Sequence, residues 1–132
     1  MKFLLDTDTC IYALKQNAAV LQVLLAQSPE DIALSVITEA ELRTGAAKSA
    51  SPAKTLRLLE SFLQPLNILE FTSGDAASYA QVRAKLERAG TPIGPLDTLI
   101  AAQAVARKLV LVSNNEREFG RIPGLQIQNW AS

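Results

Sequence analysis

Five short apolar runs alternate with stretches of helical periodicity, and that alternation constrains the fold more than any other feature of the chain. The runs are Lys2 to Leu5, Ile32 to Val36, Leu66 to Phe71, Leu109 to Val112 and Leu125 to Ile127. Connections of this length between strands are crossovers, not hairpins, so they imply parallel pairing with helices packed on both faces. The runs are apolar at nearly every position, as strands covered on two sides must be. The expected architecture is therefore a three-layer α/β fold with a mainly parallel five-stranded sheet flanked by helices. At 132 residues the chain fits one domain, residues 1–132, with no repeat, linker or low-complexity tract. Apolar residues make up 48 % but aromatics only 5 %, so the core must be built from Leu, Ile, Val and Ala.

Helix boundaries follow from local chemistry. Thr7, Asp8 or Thr9 can cap a helix through Lys15, and Val20, Leu21, Leu24 and Leu25 repeat at helical spacing until Ser28-Pro29. Thr38, three residues before Glu41, offers a capping-box start for a helix carrying Ala40, Leu42, Gly45 and Ala46. Pro52 suits the first turn of a helix with the stripe Leu56, Leu59, Phe62 and Leu63, which Pro65 ends. Ser73 can cap a helix reaching Gly90, and the rigid turn Thr91-Pro92-Ile93-Gly94-Pro95 leads into an Ala-rich helix from Leu96 to Lys108. The Tyr79, Val82, Leu86 stripe reads as core at helical spacing, with a dimer contact as the alternative. Cys10 reads as a small apolar filler.

The chemistry is narrowed by what is missing. There is no histidine, so Ser-His, Cys-His and His-His schemes are excluded. Thirteen basic residues balance thirteen acidic ones, so any grip on a polyanion must be local. Arg43, Lys48, Lys54, Arg57, Arg83, Lys85, Arg88, Arg117 and Arg121 are the candidates. A lone cysteine, no secretory signal and no apolar stretch near the ~20 residues of a membrane span lead to the expectation of a cytoplasmic protein.

Against that background the acids stand out. Asp6 closes the first strand, Glu41 lies just beyond the second, and Asp97 opens the Ala-rich helix. Parallel strands bring such positions to one carboxyl edge, where open α/β sheets bind ligands. Taken singly, Asp6 and Asp97 read as helix caps and Glu41 as a capping-box partner. Taken together, they form an all-oxygen site suited to Mg²⁺, which can activate water and neutralise a phosphoryl oxygen.

Four segments occur in order: Leu4-Leu5-Asp6-Thr7-Asp8, Ile37-Thr38-Glu39-Ala40-Glu41-Leu42-Arg43-Thr44-Gly45, Pro92-Ile93-Gly94-Pro95-Leu96-Asp97 and Val112-Ser113-Asn114-Asn115-Glu116-Arg117-Glu118-Phe119. With Pro123-Gly124-Leu125 and Asn129-Trp130 they make the whole chain resemble the PIN-domain ribonucleases of the VapC toxin family. The resemblance implies a Mg²⁺-dependent, site-specific endoribonuclease that cuts structured RNA, with tRNA a frequent target class, leaving 5′-phosphate and 3′-hydroxyl ends. Mn²⁺ is a possible substitute for Mg²⁺. It also implies a homodimer held in check by a VapB-like antitoxin, with no membrane attachment. Asp6, Glu41 and Asp97 match the family's acidic residues, and Asp6 with Asp97 match its metal-binding pair. Glu118 matches a fourth acidic position, either a distant metal ligand or a surface charge. Asn115 stands near the place where many PIN domains carry Asp. Thr7, Ser113 and Asn115 are candidates for hydrogen bonds around the acids. Asp8, where relatives commonly have Asn, lies outside this set.

Two other classes compete. A receiver-like signalling domain shares the length and the acidic strand ends, but here the third strand ends Leu69-Glu70-Phe71 and no lysine follows the last strand. A catalytically silent PIN domain that binds RNA or a protein partner is the second alternative, and the three retained acids argue against it.

Overall fold

In the computed structural model, which describes residues 1–132, five parallel strands form one sheet in the order β3-β2-β1-β4-β5. The strands are β1 (Phe3–Leu5), β2 (Ile32–Ser35), β3 (Asn67–Leu69), β4 (Val110–Val112) and β5 (Ile127–Gln128). Seven helices connect or follow them: α1 (Thr7–Leu14), α2 (Ala18–Leu25), α3 (Val36–Ala47), α4 (Pro52–Leu63), α5 (Ser73–Arg88), α6 (Pro95–Arg107) and α7 (Glu116–Phe119). The three-layer α/β expectation holds, and every pairing is parallel, not merely most of them.

The chain steps from β1 outward to β2 and β3, then returns to lay β4 on the other side of β1. Strand order therefore reverses at the β1/β4 boundary, and a crevice opens at the carboxyl ends of those two strands. Leu5 pairs with Val112 there, so Asp6 and Ser113 leave the sheet side by side.

Alternation along the strands feeds two cores. Phe3, Leu5, Ile32, Leu34 and Val112 point to one face, packed by Cys10, Val20, Leu42, Leu59 and Leu63 from the first four helices. Leu4, Ala33 and Leu111 point to the other, against Val82 and Leu86 of α5 and the small residues Ala101, Ala102 and Ala104 of α6. Leu4 is fully buried, so truncation to alanine costs roughly 2–5 kcal/mol. Cys10 is fully buried and free, as its filler role requires. Trp130 closes the first core edge-on to Phe3, with ring centroids 5.2 Å apart.

Several boundaries differ from the sequence expectations, for one recurring reason: strands pass into helices without a spacer. Asp6 itself caps α1, accepting from the Thr9 N–H at 2.8 Å, in place of Thr7, Asp8 or Thr9. Ser35 ends β2 and caps α3 through the Ile37 N–H, so Thr38 lies inside the helix and caps nothing. Thr72, not Ser73, caps α5, in a capping box with Asp75. The third strand shrinks to Asn67–Leu69, and the fifth shifts from Leu125 to Ile127 onto Ile127–Gln128, because those residues find the ladder partners.

Candidate active site

Asp6 is anchored before any chemistry is asked of it. Its N–H continues the β ladder by donating to the Val112 carbonyl at 3.0 Å, and its Oδ1 serves as the α1 cap. The Thr9 hydroxyl donates to the same Val112 carbonyl, tying α1 to β4 across the switch point. Only 4 % of Asp6 is exposed, and no lysine or arginine pairs with it. Burial pushes its carboxyl above the ordinary range, with a smaller push from Asp8, while hydrogen bonds from Ser113 and Thr9 pull it back.

Asp97 enters from α6, in the first turn after Pro95, where Gly94 is the N-cap. Its carboxyl is pushed up to about 6, by burial first and then by the charges of Asp6, Glu41, Asp8 and Glu118. The four charges come from the end of β1, α1, α3 and α7, so Asp97 in α6 lies within their joint field. Asp6, Glu41, Asp97 and Glu118 lie at the end of β1 and in α3, α6 and α7, and Asp8 in α1 adds its charge to the field at Asp97.

Glu41 reaches the crevice from the second turn of α3. The Thr7 hydroxyl donates to its Oε1 at 2.6 Å, and Thr7 Oγ1 also lies 3.2 Å from the Thr38 hydroxyl. Across the crevice, Ser113 Oγ accepts from the Asn115 N–H at 2.9 Å. Asn115 Nδ2 in turn donates to Glu118 Oε2 at 3.0 Å. Thus Thr7 and Ser113 do contact acids, whereas the Asn115 amide is engaged in orienting Glu118. Asn129 donates to Asn114 Oδ1 and Glu116 Oε2, fastening the segment after β5 to this loop. Thr38 is the residue that sequence reasoning missed; its spacing from Glu41 imitated a capping box.

These residues fit a hard divalent cation. The donors are oxygen only, and the mutual repulsion that lifts Asp97 is what a cation would relieve. No three of the acids stand close enough to close a metal cage by themselves. An open set of this kind suits an ion that keeps part of its hydration.

The basic residues divide. Arg43 pairs with Glu39 and Glu60, and Arg83 with Glu87. Arg121 donates to the Pro92 carbonyl in the turn that leads to Asp97. Arg107, absent from the candidates, is bound to Asp75. Beside Glu41 an apolar groove of about 460 Å³ runs between α1, α3 and α4, lined by Ile11, Leu14, Leu42, Ala46, Leu58 and Leu59.

The PIN domain family model matches residues 3–125. The tRNA(fMet)-specific endonuclease VapC of Salmonella typhimurium is 42 % identical over 130 residues, spanning 98 % of both chains. The chain belongs to the VapC family of PIN-domain ribonucleases. Its similarity to the VapC of Shigella flexneri, also a tRNA(fMet)-specific endonuclease, is 37 % identity over 99 % of both chains. A crystal structure of VapBC2 from Rickettsia felis, bound to a DNA fragment from their promoter, superposes with a TM-score of 0.93 at 37 % identity, covering 98 % of this chain and 99 % of that one. Within this VapC-family fold the four acid-bearing segments coincide with the crevice at the switch point. No helix is long and apolar enough to cross a membrane.

Proposed function

We propose that this protein is the toxin of a VapBC pair, a Mg²⁺-dependent endoribonuclease that cuts structured RNA of the tRNA class. The observation that carries the reading is a chain 42 % identical over its length to a tRNA(fMet)-specific endonuclease, with Asp97 half-buried and in the field of Asp6, Glu41, Asp8 and Glu118. Residues 1–132 act as one domain, and a cytoplasmic site of action follows from the substrate class.

Asp6 and Asp97 would hold the ion, with Glu41 and Glu118 completing the acidic wall. When bound, Mg²⁺, or Mn²⁺ in its place, neutralises these carboxylates, raises the acidity of water and draws charge from the scissile phosphate. Asp6, locked by Thr9 and Ser113, supplies a fixed oxygen rather than a mobile one. Glu41 has Oε1 engaged by Thr7, which leaves Oε2 to take a proton from the attacking water. The water oxygen would bond to phosphorus as the P–O3′ bond breaks, and the departing O3′ would take a proton from solvent, giving 5′-phosphate and 3′-hydroxyl ends. Arg117 and Arg121, exposed on and just after α7, would meet phosphates flanking the cut.

The groove between α1, α3 and α4 offers a VapB-like antitoxin an apolar seat for a helix, from which a basic side chain could reach Glu41 and its neighbours. A homodimer would use the cleft lined by Tyr79, Ile93 and Pro95, with Arg83 and Glu87 at its rim. Val82 and Leu86 themselves are buried core.

Cleavage of a total tRNA pool by purified protein with Mg²⁺, with EDTA, and by the Asp6→Ala and Asp97→Ala variants tests the reading. Discrete fragments that vanish under EDTA and in both variants are expected. Equal behaviour of wild type and variants would sink the nuclease reading and favour a silent binding module.

A further inference from the structure

The hydroxyls of Thr38 and Thr7 lie in line with Glu41, and their protons can be placed by elimination. Thr38 is fully buried, and Thr7 Oγ1 is the one partner its side chain has. Thr7 sits 2.6 Å from Glu41 Oε1, the distance of a hydroxyl donating to a carboxylate. A hydroxyl has one proton to give. If Thr7 gave its proton to Thr38, Glu41 and Thr7 would face each other lone pair to lone pair. The arrangement that satisfies every group is Thr38 O–H to Thr7 Oγ1, and Thr7 O–H to Glu41 Oε1.

We propose that Thr38 is a positioning residue for Glu41: its buried hydroxyl sets the direction of the Thr7 proton and thereby holds the Glu41 carboxylate in one rotamer at the crevice. Local structure makes this possible. Ser35 has already capped α3, so Thr38 is free to turn its hydroxyl toward α1 instead of toward its own backbone. Glu41 lies one turn further along the same helix, so Thr38 and Glu41 share the face that meets the start of α1. A glutamate has three side-chain torsions to fix, and the two-hydroxyl chain supplies the restraint that a shorter aspartate needs less.

The proposal rests on the nuclease reading, and the experiment separates the two. Thr38→Val keeps the shape and removes the hydroxyl, Thr38→Ser keeps the hydroxyl, and Thr7→Val removes the next link. In the full-length protein, Mn²⁺ affinity by titration calorimetry and kcat and KM for tRNA cleavage are measured with crystal structures of each variant. Thr38→Val is expected to lose about tenfold in Mn²⁺ affinity or kcat with KM unchanged, and to show Glu41 in more than one rotamer. Thr38→Ser restores both, and adding Thr38→Val to Thr7→Val has no further effect. A single undisturbed Glu41 rotamer in Thr38→Val, or additive losses in the double variant, would overturn it. Failure of the nuclease reading looks different: wild type binds no Mn²⁺ and cuts nothing, while the Glu41 rotamer still reports on Thr38.

Discussion

Asp6 and Asp75 are both almost wholly buried carboxylates, 4 % and 1 % exposed, and they are treated in opposite ways. Asp75, in the first turn of α5, accepts from the Thr72 N–H at 2.9 Å, from Gln103 Nε2 at 3.2 Å, and from Arg107 Nη2 and Nε at 2.9 and 3.3 Å. Arg107 also donates to the Glu70 carbonyl, so one guanidinium joins α6, α5 and the end of β3. Burial alone would raise this carboxyl, but Arg107 and Thr72 outweigh it and hold it below the ordinary range. Asp6 has hydrogen bonds but no cation, and Asp97 is raised by burial and then by the charges of four other acids. A buried acid with its own arginine is structure; acids gathered without one are the arrangement that the proposed cation would neutralise.

The sharpest way to break this comparison is to remove the charge in each region. Asp6→Asn or Asp97→Asn should lower RNA cleavage by roughly 10³-fold or more, about 4 kcal/mol of transition-state stabilisation, while the protein stays folded by circular dichroism. Asp75→Ala should do the reverse. Leaving Arg107 without its partner is expected to destabilise the fold by about 2–3 kcal/mol, discounted because Arg107 is partly exposed. Chemical denaturation would read that loss, and cleavage by the folded fraction should persist at low temperature.

A finer test uses pH. Asp97 has a folded-state value of about 6, above its ordinary 3.8, so its contribution to the metal-free fold is present below pH 4 and is lost as pH rises through 6. Asp97→Asn should therefore stabilise the metal-free protein at pH 7.5 by about 1 kcal/mol after allowance for exposure. The gain should disappear near pH 4, and saturating Mn²⁺ should reverse the order, because only wild type binds it. For Asp75 the sign is opposite: its lowered value contributes stability above the ordinary carboxylate range that is lost as pH falls through it. Melting temperatures of wild type, Asp97→Asn and Asp75→Asn, from neutral pH down to below the ordinary carboxylate range, distinguish the two. The smallest effect is expected at Arg83. Its pair with Glu87 is 2.8 Å apart, against 2.9 Å for Arg107 with Asp75, but sits in solvent, so Arg83→Ala should leave the melting temperature unchanged.

Much of this was legible in the residues. The strand runs were readable because a strand buried on both faces must be apolar throughout, and the helices because Pro29, Pro52, Pro65 and Gly90 punctuate them. Asp6 announced itself as an acid at the end of such a run. Caps were read less well, since several Thr, Ser and Asp residues stand at each junction and only the backbone geometry selects one. Thr38 shows the limit: the spacing to Glu41 fits a capping box, yet Ser35 had taken the cap. Asp75 and Arg107, 32 residues apart, carry no local sign that they will meet.

The sequence by itself determined the layer architecture, the absence of imidazole chemistry and the identity of the acids, because periodicity and side-chain type are local properties. Tertiary structure decided which acids share a field and which acid receives an arginine. It also decided which hydroxyl turns toward Glu41. Those outcomes depend on the β3-β2-β1-β4-β5 order, which places the ends of β1 and β4 side by side. Electrostatic interaction falls with distance and grows with burial, and neither quantity exists until the chain has folded.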